Sequence, residues 1–170
     1  MGNSGIGGHQ KTEGRTNDWL TPPELLQVLG GFDLDPCAAP PPRPWDTADA
    51  HYSLEDNGLV LPWYGRVWMN PPYGRCVGEW LVRMAEHNNG LALVFARTET
   101  AAFHRYVWRA ASALFFFQGR LRFCRPDGTQ GVWTGGAPSV LVAYDLHPNG
   151  YNTEVLRSLE SLDGQFLALR

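Results

Sequence analysis

Leu91-Ala92-Leu93-Val94-Phe95 runs through five apolar residues with no polar interruption. A strand with one wet face alternates apolar and polar side chains, whereas a continuous run belongs to a strand covered on both faces. That demand calls for a sheet sandwiched between helices. The neighbouring patterns agree. Val77, Trp80, Leu81, Met84 and Ala85 recur at steps of three and four, as do Phe103, Tyr106, Val107 and Ala110, which is helical spacing. Residues 66–70, 113–117 and 139–144 read as further buried-type strands. Strands alternating with helices give a doubly wound α/β domain with a mostly parallel sheet. After residue 110 the strands outnumber the helices, so the far edge is expected to be antiparallel.

A chain of 170 residues has room for one such domain. Residues 1–17 read as a flexible polar lead without the apolar stretch of a signal peptide, which leaves 18–170 for the domain. No run of about 20 apolar residues occurs, so no membrane-spanning helix and no membrane partner is expected. Cys37, Cys76 and Cys124 lie far apart, without CxxC or Cys/His spacing. That usage suits a reducing cytoplasm and gives no reason to expect a metal.

Between these landmarks the punctuation is strong. Thr21-Pro22-Pro23-Glu24 opens an apolar run that Gly30-Gly31 closes, which reads as a short helix with Thr21 at its cap. Residues 32–35 form a brief strand that stops at Pro36. The five prolines at 36, 40, 41, 42 and 44 make the following segment a stiff loop. Too few residues separate Pro36 from Arg66 for two full βα units, so either the sheet is truncated there or the region is mostly loop. Gln118-Gly119 turns the chain into a strand-like stretch over 120–123, and a weak terminal helix is expected over 151–162.

The net charge of −3 argues against coating nucleic acid by bulk charge, but it leaves room for a local basic face. Of the 14 basic residues 13 are arginine, which suits phosphate forks and stacking on bases. Arg120, Arg122 and Arg125 cluster in one stretch, which reads equally as a solvated strand edge or as an edge facing DNA.

The chemistry concentrates in Asn70-Pro71-Pro72-Tyr73, directly after a hydrophobic strand. Open α/β sheets bind ligands at the carboxyl ends of their strands. An amino group on an aromatic ring is a poor nucleophile because its lone pair is delocalised into the ring. Giving both N–H bonds acceptors pyramidalises the nitrogen and frees the lone pair. Asn70 offers a side-chain oxygen, and the prolines hold neighbouring carbonyls rigidly. Rigid acceptors are preorganised ones. Tyr73 offers a flat face for an extruded base.

The tetrapeptide fits the [DN]PP[YFW] pattern of amino-methyltransferases. With residues 18–23 (Asp-Trp-Leu-Thr-Pro-Pro), 32–38, 56–59 and 119–123 in the same order, the chain resembles the phage-type DNA adenine methyltransferases, the small Dam-like family. The resemblance spans about residues 18–145. It implies a Rossmann-like methyltransferase domain that uses S-adenosylmethionine to methylate the N6 amino group of adenine in DNA. It further implies that Thr21 and Pro22 contact the methionine end of the cofactor. By the same resemblance Asp35, Pro36, Cys37 and Ala38 form the first-strand cofactor motif, and Asn70, Pro71, Pro72 and Tyr73 the catalytic one, with Asn70 also contacting the cofactor. Asp56 is the expected ribose carboxylate, with Asp49 and Glu55 as rivals; Tyr73, Arg120, Arg122 and Phe123 face the substrate. The glycine-rich turn of the broader methyltransferase pattern is replaced here by Ala38, Ala39 and three prolines, which leaves the methionine cradle unassigned. Because the tetrapeptide is shared, an amino-methyltransferase acting on RNA or protein glutamine stands as a rival. So does a non-catalytic nucleic-acid-binding module of the same shape.

Overall fold

The computed structural model describes residues 19–131, 136–146, 150–159 and 163–170. The lead over 1–17, Asp18 and the last positions of the expected terminal helix lie outside the described residues.

Seven strands form one sheet, in the order β2-β1-β3-β4-β6-β5-β7. They are β1 (Leu34–Asp35), β2 (Ala50–His51), β3 (Val67–Met69), β4 (Gly90–Phe95), β5 (Ala113–Phe117), β6 (Ser139–Tyr144) and β7 (Gly164–Ala168). The pairs β1–β2, β1–β3 and β3–β4 are parallel. β6 runs antiparallel to β4 and to β5, and β7 antiparallel to β5. The expected antiparallel far edge is present; it takes in half of the sheet's pairings rather than its last strand alone.

The core follows from the two-residue period of the strands. Val67, Met69, Ala92, Val94, Val140 and Val142 point to one face, with Trp80, Leu81 and Met84 of helix α2 (Val77–His87) and Phe103 of helix α3 (Ala101–Phe103). α3 runs on into a π-helical turn over His104–Trp108. Trp68, Leu91, Leu93, Phe115 and Leu141 point to the other face, under Leu25 and Leu29 of α1 (Pro23–Leu29) and Leu156 of α4 (Tyr151–Ser158). The uninterrupted run in β4 is thus explained: both of its faces are covered.

Two local readings are corrected, and a third that was left open is decided. The N-cap of α1 is Pro22, with no side-chain cap, so Thr21 does not cap the helix. Pro22 and Pro23 carry no N–H, so the first turn has fewer orphan donors to satisfy. The Pro22 carbonyl takes the amides of Leu25 and Leu26. Residues 120–123 are not a strand; Cys124 alone forms antiparallel bridges, to Leu20 and to Gln130. The segment from Pro36 to Arg66 is mostly loop, with the two-residue β2 as its one contribution to the sheet.

Candidate active site

Parallel pairing brings the carboxyl ends of β1, β3 and β4 to the same edge, and Asp35, Asn70 and Phe95 stand there. A cavity of about 750 Å³ opens at this edge, within the range of roughly 300–1,000 Å³ usual for small-ligand sites. Its wall contains Thr21, Asp35 to Pro40, Asn57 to Leu59 and Asn70 to Tyr73. Trp19, Leu20, Thr47, Ser53, Trp68, Cys76 and Trp80 complete much of the rest. Among the described residues Asp35 is its one carboxylate, and none of them that line it is a lysine, arginine or histidine.

Asp35 is 3% exposed. Its Oδ2 accepts the Thr47 hydroxyl at 2.5 Å, and its Oδ1 accepts the Cys37 amide at 3.0 Å. Burial pushes its pKa up to about 6 against those two stabilising bonds. Thr47 is held in turn by His51, whose Nε2 accepts the amides of Thr47 and Ala48 at 3.3 and 3.4 Å. An imidazole nitrogen that accepts is unprotonated, in keeping with a pKa lowered by desolvation. Burial and the neighbouring Asp35 charge hold the Cys37 thiol well above its ordinary range, so it is no thiolate nucleophile.

Asn70 is fixed from two sides. Its Nδ2 donates to the Trp19 carbonyl at 3.0 Å and to Thr21 Oγ1 at 3.2 Å, while its Oδ1 accepts the Tyr73 hydroxyl at 3.4 Å. Desolvation raises the Tyr73 pKa, so its hydroxyl is a donor and not a base. The Tyr73 ring stacks on Phe95 with centroids 3.9 Å apart and planes 14° apart, and Phe123 meets it edge-on at 6.1 Å.

The structure therefore gathers Thr21, Asp35, Pro36, Cys37, Ala38, Asn70, Pro71, Pro72 and Tyr73 around one cavity. Pro22 does not line it. Asp56 stands outside it as well: it is exposed, and its Oδ2 takes the Ser53 amide and hydroxyl at 2.7 and 2.9 Å. Those bonds lower its pKa. Its rivals Asp49 and Glu55 are absent from the wall too. Phe123 is 2% exposed and belongs to the core, so it buttresses Tyr73 and offers no open face to a base. Arg120 and Arg122 are exposed, beyond the cavity wall.

The sequence reading missed Thr47, Trp68, Trp80 and Phe95. Phe95 carried a signal, as the last residue of an apolar strand at the ligand-binding edge. Thr47, inside a proline-rich loop, carried none.

The wall suits a cationic, partly aromatic ligand. Among its described residues, one carboxylate, several aromatic rings and no basic group favour positive charge. The Trp68 indole N–H is fully buried and has no acceptor among the described residues. The amides that a glycine-rich turn would present are already used, Cys37 N–H by Asp35 and Ala38 N–H by the Tyr52 carbonyl. No group of three or more metal-ligating side chains occurs among the described residues. None of their helices is long and apolar enough to cross a membrane.

A family model described as DNA N-6-adenine-methyltransferase (Dam) matches residues 8–164, starting inside the segment set apart above as a lead. Neither the curated proteins nor the solved structures contain a significant match.

Proposed function

Since the chain belongs to the DNA N-6-adenine-methyltransferase (Dam) family and so methylates adenine N6 in DNA with S-adenosylmethionine, we propose that the cavity at the ends of β1 and β3 is the site of that reaction. The observation that carries this assignment is the fixed amide of Asn70, whose oxygen is turned away from its two acceptors.

Asn70 Oδ1 and the Pro71 carbonyl accept the two hydrogens of the adenine amino group. With both engaged, the nitrogen lone pair is released from the ring. Tyr73, backed by Phe95, supplies the surface against which the extruded base lies. Asp35 holds the positive ammonium of the cofactor's methionine end. When bound, the cofactor would supply a methyl group on positively charged sulfur. The N–C bond would form as the S–C bond breaks to leave S-adenosylhomocysteine, and the methylated nitrogen, acidic once its lone pair is used, would give its extra proton to solvent. The residues therefore position the reactants and withhold water, and neither His51 nor Cys37 is asked to move a proton. Asp56 acts at one remove, fixing the Ser53 hydroxyl that lines the cavity.

Arg120, Arg122 and Arg125 form the DNA-facing stretch, with the chain from 18 to 170 as the catalytic domain. A DNA-modifying enzyme of this kind works in the cytoplasm. Assay with methyl-labelled cofactor on duplexes containing adenine, or 2-aminopurine in its place, tests the assignment. Label should enter the adenine duplex alone, and equal labelling of both would overturn it.

A further inference from the structure

A side-chain amide has two ends of nearly the same shape and opposite hydrogen-bonding character. An acceptor role for Asn70 needs the oxygen end held towards the substrate and the nitrogen end kept away. The Nδ2 group carries two hydrogens, and the segment before α1 provides two acceptors for them, the Trp19 carbonyl and Thr21 Oγ1. Turned over, the amide would set Oδ1 against the Trp19 carbonyl, acceptor against acceptor.

We propose that Thr21 is a positioning residue for methyl transfer: with the Trp19 carbonyl, its hydroxyl locks the Asn70 amide with Oδ1 towards the substrate amine. The proposal rests on the acceptor role assigned to Asn70 above. Three observations support it. Thr21 is 2% exposed, so little of its side chain is open to competing water. The prolines that follow relieve it of capping α1, so the hydroxyl is not needed by the helix. The segment is also held in place by a separate device: Leu20, between the two acceptors, exchanges both backbone hydrogen bonds with Cys124 at 2.9 Å. Cys124 lies between Arg122 and Arg125. The stretch that carries the arginines thus sets the register of the segment that orients Asn70.

Thr21→Val keeps the shape and removes the hydroxyl; Thr21→Ser keeps the hydroxyl. In single-turnover transfer to duplex DNA at saturating cofactor, Thr21→Val should slow the reaction about tenfold, the worth of one buried hydrogen bond. Affinity for S-adenosylhomocysteine should stay within about twofold of wild type, by the same reasoning that the lost bond is to Asn70. Thr21→Ser should recover most of the rate. Weaker cofactor affinity with a normal saturated rate would overturn the proposal and make Thr21 a cofactor contact. Equal slowing by Val and Ser would make it a packing residue, and an unchanged rate would make the bond incidental. The wild-type protein gives a second reading: its Asn70 side-chain amide protons should exchange slowly with solvent, and fast exchange would refute the lock. If wild type fails to methylate adenine, the functional assignment itself falls, an outcome separate from any variant's behaviour.

Discussion

The Tyr73 hydroxyl stands 3.4 Å from Asn70 Oδ1, well beyond the usual length of an O–H···O bond. The oxygen assigned to the substrate amine is therefore met only weakly by the protein's own donor. A substrate N–H displaces little when it arrives.

Tyr73 should accordingly matter through its ring. Tyr73→Phe keeps the stack on Phe95 and loses only the long bond. Its single-turnover rate should stay within about threefold of wild type, since a bond of that length is worth little. Tyr73→Ala removes a stacking surface worth roughly 1–3 kcal/mol and should weaken productive base placement by that amount. Both should bind S-adenosylhomocysteine normally. A Phe variant as impaired as the Ala variant would assign the chemistry to the hydroxyl instead.

Gly58 tests the cavity wall. A Cβ at this position would lie 1.9 Å from the Pro36 carbonyl oxygen, a backbone atom with little room to yield. Gly58→Ala should force Pro36 and the 56–59 turn apart, a strain of about 1–3 kcal/mol. Calorimetry with S-adenosylhomocysteine in excess chelator should show metal-independent binding by wild type and clearly weaker binding by this variant. Unchanged affinity in a folded variant would move the cofactor elsewhere.

Which parts of this site could be read from the chain follows from the range of the interactions. Asn70 and Tyr73 were legible because a strand end and two prolines act locally. β4 was legible because its composition alone demands two covered faces. The strands Ala50–His51 and Gly164–Ala168 left no comparable trace. The first is two residues long, and the second lies at an edge where only Phe166 is buried. Phe123 was misplaced because the same residue type serves a core and a stacking platform, and only its neighbours decide. The Thr21–Asn70 bond joins positions 49 residues apart, so no local pattern announces it. The helix-cap reading of Thr21 failed because the helix starts one residue later, with Pro22 at the cap position, and the Thr21 hydroxyl bonds to Asn70 instead.

Asp35 links acidity to cofactor binding. Its carboxyl, ordinarily at 3.8, is pushed up to about 6 in the fold, chiefly because it is buried. A raised folded-state pKa means that its contribution to stability is complete below about pH 3.8 and is lost as pH rises through about 6. Asp35→Asn should therefore raise the melting temperature of the ligand-free protein at pH 8. The ammonium of the cofactor needs the ionised form, so wild-type affinity for S-adenosylhomocysteine should fall as pH drops from 7 to 5. In Asp35→Asn it should be weak and flat across that range. An Asn variant that binds as tightly as wild type at pH 8 would remove Asp35 from the cofactor site.

Asn70 is the sharpest case, because its orientation is fixed by bonds that do not involve the substrate. If Oδ1 accepts one amino hydrogen as the lone pair is released, Asn70→Ala should lower single-turnover transfer by the order of 10²–10³, the cost of losing one preorganised hydrogen-bond partner in a transition state. Folding and S-adenosylhomocysteine affinity should survive, since the segment that Asn70 bonds to is held separately by Leu20 and Cys124. Asn70→Asp keeps an acceptor at the same place but gives up the N–H groups that Trp19 and Thr21 hold. A carboxylate facing the Trp19 carbonyl is repelled and poorly oriented, so this variant should fall between wild type and Asn70→Ala. The order of the three rates is therefore the informative quantity. Asp equal to wild type would mean that orientation by Trp19 and Thr21 is unimportant. Ala equal to wild type would mean that Asn70-Pro71-Pro72-Tyr73 is a turn and nothing more.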